Sequence, residues 1–97
     1  MDSKKRAAIK KVANHVKPTI MIGAEGLHKN IFDSIDNGFN TNEVLKIKVS
    51  RVDKSDKEIT RKYANEIEAK NECDVIAVIG TTIIVYKESK NKDKRMF

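Results

Sequence analysis

Two glycines three residues apart, Gly23 and Gly26, lie between a short apolar run and a helical pattern, with lysines on both sides. The chemistry open to such a loop is anion binding. Glycine lets a second backbone come close. A helix opening just after the loop presents unpaired N–H groups and a positive dipole end to a phosphate. Gly-x-x-G loops clamp nucleotide backbone in this way, although glycine pairs at this spacing also occur in ordinary turns. Other chemistries find little support. His15 and His28, the only histidines, fall on different elements, and neither has a Cys or carboxylate at zinc-ligand spacing. Cys73, the single cysteine, stands where a helical pattern meets an apolar strand and reads as a small buried residue. Gly23-Ala24-Glu25-Gly26 lacks the lysine and spacing of a P-loop. No catalytic constellation emerges, so neither an enzyme nor a bound cofactor or metal is expected.

The loop must be positioned by the elements around it. Residues 3–16 form the first expected helix, capped by Ser3 and limited by Pro18. At about 100° per residue, Ile9, Val12, Ala13 and Val16 share one face, and Arg6, Lys10, Asn14 and Lys17 form a stripe beside it. Lys4, Lys5 and Lys11 fall elsewhere on the wheel and are expected to be solvated. A basic amphipathic helix can lie on a membrane, but this apolar side is thin and suits packing on a sheet. A strand from Thr19 to Ile22 leads into the loop. A helix from about His28 to Phe39 follows, with Ile31, Phe32, Ile35 and Phe39 inward and Gly38 weakening its end.

Val44 to Val49 alternates apolar residues with Lys46 and Lys48, which predicts a strand with one covered and one open face. The two lysines are candidate RNA contacts on the open face or ordinary solvated residues. Ser55 and Glu58 have capping-box spacing at the start of a third helix, with Ile59, Tyr63, Ala64 and Ile67 inward. Asp74 to Ile79 and Thr82 to Lys87 are strands joined by a Gly80-Thr81 turn. The unbroken apolar run of the first predicts burial on both faces. The order αβαβαββ, with parallel strands across the helical connections, predicts a single α/β domain with a four-stranded mixed sheet.

The chain has 97 residues, enough for one domain, and no apolar run long enough to span a bilayer. No signal peptide is visible, and the lone cysteine fits a reducing, cytoplasmic setting. The net charge of +6 is uneven. Residues 1–17 carry +5 and residues 87–97 carry +3, whereas the middle carries −2. Such ends attract an acidic partner, nucleic acid or an anionic membrane, or simply confer solubility. Residues 1–88 are expected to form the domain and 89–97 a flexible basic tail. With no long apolar patch left over, a monomer is expected.

Four linked segments resemble the YhbY family, the stand-alone bacterial form of the CRM (chloroplast RNA splicing and ribosome maturation) domain. They are the basic helix with Lys4, Arg6, Ile9, Lys10 and Ala13 leading to Val16-Lys17-Pro18, and then Ile22-Gly23-Ala24-Glu25-Gly26-Leu27. After these come Asn42-Glu43-Val44-Leu45-Lys46-Ile47-Lys48-Val49 and Val78-Ile79-Gly80-Thr81-Thr82-Ile83-Ile84-Val85-Tyr86-Lys87. The resemblance covers residues 3–88. It implies a fold like the C-terminal domain of translation initiation factor three, binding of RNA, and association with precursors of the large ribosomal subunit. It further implies an RNA face made by the Gly-x-x-G loop and the basic first helix. Three positions depart from the family pattern. Asn14 stands where a histidine is common, Ala24 where the loop often has lysine, and Thr81 where the hairpin is often basic. The loop would then hold phosphate through its backbone N–H groups, with charge from Arg6, Lys10, Lys17 and Lys29 and with Glu25 turned away.

The expected function is non-enzymatic binding of ribosomal RNA during large-subunit assembly, with no membrane partner. The candidate contacts are Lys4, Arg6, Lys10, Asn14, Lys17, Gly23, Ala24, Glu25, Gly26, Lys29, Lys46 and Lys48. With few aromatics, recognition is expected through shape and phosphate. The alternatives are an architectural DNA-binding protein and a protein-interaction module with solubilising basic ends.

Overall fold

The computed structural model describes residues 3–17, 20–23, 26–49 and 57–88. Its elements are α1 (Ser3–Ala13), β1 (Ile20–Ile22), α2 (Lys29–Phe39), β2 (Val44–Val49), α3 (Lys57–Asn71), β3 (Asp74–Ile79) and β4 (Thr82–Tyr86). The four strands make one sheet in the order β1-β2-β4-β3. β1 and β2 are parallel, and β4 runs antiparallel to both β2 and β3. The expected fold class and element order are therefore observed. Pro18, Thr19, Ala24, Glu25, Ser55 and the segment 89–97 lie outside the described residues. So do the proposed capping box of α3 and the expected tail.

Both sheet faces are covered, which makes three layers. Leu45, Ile47 and Val49 of β2, with Ile20, Ile22, Ile83 and Val85, face α2 and α3 and bury Ile35, Ala64, Ile67 and Cys73. On the other face α1 sets Ile9 and Ala13 against Val44, Ile76, Ile84 and Tyr86. The apolar face read for α1 thus packs on a sheet. Lys5 is not solvated as expected: it is half-buried, with its ammonium 5.0 Å from the centre of the Tyr86 ring.

Four local expectations are corrected. α1 stops at Ala13, three residues early, because the His15 and Val16 N–H groups bond to the Val12 and Ala13 carbonyls in tighter i→i−3 turns. The inward stripe of α3 is Thr60, Ala64, Ile67 and Asn71, all buried, whereas Ile59 is 39% exposed. β3 is an edge strand, exposed at both ends, and the strand buried on both faces is β4, which sits between β2 and β3. The β2 face carrying Lys46 and Lys48 is open only at Lys48, because α1 lies across it at Lys46.

Backbone geometry accounts for the joints. In the two-residue turn between β3 and β4, Gly80 has φ +59 and Thr81 has no positive φ, the pattern of a type II′ hairpin. α3 ends with Glu72 at φ 51 and the Cys73 N–H bonded to the Glu68 carbonyl at 3.3 Å, a Schellman closure without its usual glycine. Gly38 does more than weaken α2. A Cβ there would lie 2.9 Å from one methyl of the buried Leu45, so the missing side chain lets α2 close on β2.

Candidate nucleic-acid interface

The parallel strands bring the candidate loop to one edge of the sheet. β1 and β2 end there at Ile22 and Val49, and the β3–β4 turn joins them through the Val49 N–H, bonded to the Thr81 carbonyl at 2.8 Å. The chain leaves β1 at Gly23 and turns back, with the Gly26 N–H donating to the Gly23 carbonyl at 3.0 Å. The two glycines serve different needs. Gly26 has φ +72, and a Cβ on it would sit 3.0 Å from the Tyr63 hydroxyl of α3. It is required by the fold itself. Gly23 has no positive φ and nothing within 4 Å of a would-be Cβ. Its side is open to an incoming group.

His28 caps α2 in an extended conformation, and its carbonyl accepts from the Ile31 and Phe32 N–H groups at 2.9 and 3.3 Å. No acidic residue stands in the first turn of α2. The positive end of this helix dipole therefore meets no carboxylate of its own first turn. Lys29, at the first helical position, is exposed.

The candidate cations fall into two groups. Arg6, though exposed, and the half-buried Lys46 are engaged by backbone carbonyls of the fold. Arg6 Nη1 donates to the Ile76 carbonyl at 2.8 Å and the Val75 carbonyl at 3.3 Å, tying α1 to β3. Lys46 Nζ donates to the Ala13 carbonyl at 3.4 Å, at the negative end of α1. Lys4, Lys10, Lys17, Lys29 and Lys48 are exposed, and their side chains make no hydrogen bond or ion pair with another described residue; the same holds for the Asn14 side chain.

Placement narrows the set again. The Lys46 bond puts the end of α1 over β2, the partner of β1. Lys48 pairs with Met21 of β1, two residues before Gly23. Lys4 belongs to the other end of α1, beside Lys5 on Tyr86 and Arg6 on β3. Ala24 and Glu25, the loop interior, lie outside the described residues. Tyr63 supports the loop from about forty residues away, and no local sequence pattern links it to Gly26.

Aromatic side chains offer no stacking platform among the described residues. Tyr86 is buried, and Phe32, Phe39 and Tyr63 are packed against the main core, with Lys70 Nζ 5.8 Å from the centre of the Phe32 ring. Burial, first, and the nearby Glu68 and Asp74 carboxylates push the Cys73 thiol up to about 12, so it is no nucleophile at neutral pH. Among the described residues, no group of three His, Cys, Asp or Glu side chains is placed to hold a metal. No helix among them is long and apolar enough to cross a membrane.

The chain is thus a three-layer α/β domain with an open glycine turn where the parallel strands end. The CRS1 / YhbY (CRM) domain family matches residues 1–87, and the chain belongs to that family. An RNA-binding protein of Haemophilus influenzae is 27% identical over 90 residues, covering 93% of this chain and 88% of that protein. The probable RNA-binding protein YqeI of Bacillus subtilis is 26% identical, covering 93% and 91% respectively. The solution structure of the hypothetical protein SAV1595 from Staphylococcus aureus has the same fold, with TM-score 0.79 at 24% identity over 98% of this chain and 96% of that one.

Proposed function

We propose that this protein binds RNA, that its main partner is ribosomal RNA in precursors of the large ribosomal subunit, and that it assists their assembly in the cytoplasm as a monomer without catalysing a reaction. One observation carries the RNA face. Gly23 has no positive φ and no close neighbour that demands a glycine, yet it stands open at its turn, and Lys10, Lys17, Lys29 and Lys48 are exposed with side chains that bond no other described residue. A phosphate backbone supplies both missing contacts, the close approach and the counter-charge. The relatives described as RNA-binding proteins support the partner class.

In this reading Lys10, Lys17, Lys29 and Lys48 neutralise phosphates, Asn14 adds a polar contact, and the Gly23–Gly26 turn admits the backbone. Arg6 and Lys46 hold α1 in place and act on RNA through that position. Lys4 contributes long-range attraction, as does the basic segment 89–97. The test is crosslinking in growing cells, with ribosomal particles separated by sedimentation and the attached RNA sequenced. Enrichment at one large-subunit RNA region in immature particles is expected. Reads scattered over many transcripts would leave RNA binding and remove the assembly role; no RNA above background would remove both.

A further inference from the structure

The register of the sheet lines up four residues that no single element reveals. Met21 of β1 pairs with Lys48 of β2, Lys48 with Thr82 of β4, and Thr82 with Ile79 of β3. All four lie on the face that α1 covers. The neighbouring row on that face, Lys46, Ile84 and Ala77, lies under α1. The row Met21–Lys48–Thr82–Ile79 does not. Met21 is 53% exposed, Ile79 is 55% exposed, Lys48 is exposed and Thr82 is half-buried. Met21 and Ile79 are the two most exposed large apolar side chains among the described residues. They flank a lysine that makes no hydrogen bond or ion pair with another described residue. One border of this strip is α1. The other is the sheet edge carrying Gly23 and the Gly80-Thr81 turn.

We infer that this strip is a second RNA contact, which takes a short run of unpaired nucleotides continuing from the strand held at the Gly23 turn. The inference rests on the RNA-binding reading and extends it from phosphates to bases. Size and charge select the occupant. Strands lie about 4.8 Å apart, so the strip is about 14 Å long, and rows on one face lie about 7 Å apart, so it is only one row wide. A protein helix about 10–12 Å across would collide with α1. A single strand of bases is narrow enough. The apolar face of a base packs on the Met21 thioether and on the Ile79 side chain. The Lys48 ammonium between them meets a phosphate, and the Thr82 hydroxyl can donate to or accept from a base edge. With no aromatic ring and no fixed amide in the strip, this contact tolerates any base sequence.

The test compares a blunt RNA hairpin with the same hairpin bearing four unpaired nucleotides, placed at either end in separate probes. Wild type should bind an extended probe more tightly than the blunt one. The double variant Met21→Thr, Ile79→Thr, which places a strand-compatible β-branched residue at both positions, should bind the blunt hairpin like wild type. On the preferred extended probe it should lose roughly fivefold, the scale of a small apolar contact. Equal binding of blunt and extended probes by wild type, or an undiminished gain in the variant, overturns the strip and leaves the RNA-binding reading intact. Failure of wild type to bind any probe overturns that reading as well. Methyl NMR on the unaltered protein gives an answer that does not depend on the variant folding. The Met21 and Ile79 methyl signals should shift with the extended probe and stay put with the blunt one; signals that stay put with both overturn the contact.

Discussion

Single residues separate two jobs that the sequence motif merges. Gly26 is held at φ +72 against the Tyr63 hydroxyl, so Gly26→Ala should destabilise the domain by about 1–3 kcal/mol, read from denaturant midpoints. Gly23 meets neither constraint. Gly23→Ala should leave stability within about 0.5 kcal/mol and weaken RNA binding. A Gly23→Ala protein that binds RNA like wild type would place the backbone clamp elsewhere. Cys73 gives a prediction in pH. Burial raises its thiol from 9.0 to about 12, so the folded state keeps a proton that the unfolded chain releases first. That contribution to stability is fully present below pH 9 and is lost as pH rises towards 12. Cys73→Ala should flatten the alkaline fall in stability, and in the wild type a maleimide should label Cys73 only as fast as the protein opens.

At the scale of elements, close packing decides against local propensity. Alanine is a better helix former than glycine by about 1 kcal/mol. At Gly38, however, the added methyl would lie 2.9 and 3.0 Å from the two methyls of Leu45, which is 1% exposed and cannot swing away. Gly38→Ala should therefore destabilise by about 1 kcal/mol, the low end of overpacking costs. A rise in melting temperature would show instead that α2 and β2 have slack. The joint between α1 and the sheet has similar weight. Arg6 ties this helix to β3 and Lys46 caps its last turn from β2. An Arg6→Ala change therefore confounds stability with binding, whereas removing the Lys10 and Lys17 side chains breaks no bond to another described residue.

For the whole molecule, charge distribution sets the behaviour. The excess of +6 resides in the ends of the chain, and the folded middle carries −2. Binding to RNA should weaken steeply with salt, with about four to six phosphates neutralised. The Lys10→Ala, Lys17→Ala protein should bind more weakly and lose about 1–2 from the slope of log affinity against log salt. A slope equal to that of wild type would mean that these lysines meet no phosphate. Duplex DNA of equal length as competitor separates shape-specific RNA binding from general attraction to polyanions.

What the sequence determined by itself was whatever depends on neighbours within a turn or a strand. The order of seven elements, the inward faces of α1 and α2, the Gly80-Thr81 hairpin and the glycine turn all follow from periodicity or turn chemistry over a few residues. Only the tertiary structure decided what depends on partners distant in the chain. β4 inserts between β2 and β3, which makes the apolar run of β3 an edge and lines Met21, Lys48, Thr82 and Ile79 into one row. The carbonyls that engage Arg6 lie 69 and 70 residues along the chain, and the one that engages Lys46 lies 33 residues away. α3 buries the polar Thr60 and Asn71 in place of Ile59, because Asn71 meets the Phe32 carbonyl at 3.0 Å and Asp36 Oδ1 at 2.7 Å on α2. A helical wheel weighs only hydrophobicity and cannot see a hydrogen-bond partner on another element. That is why the cations legible as one stripe divide, in three dimensions, into those that hold the fold and those left for a ligand.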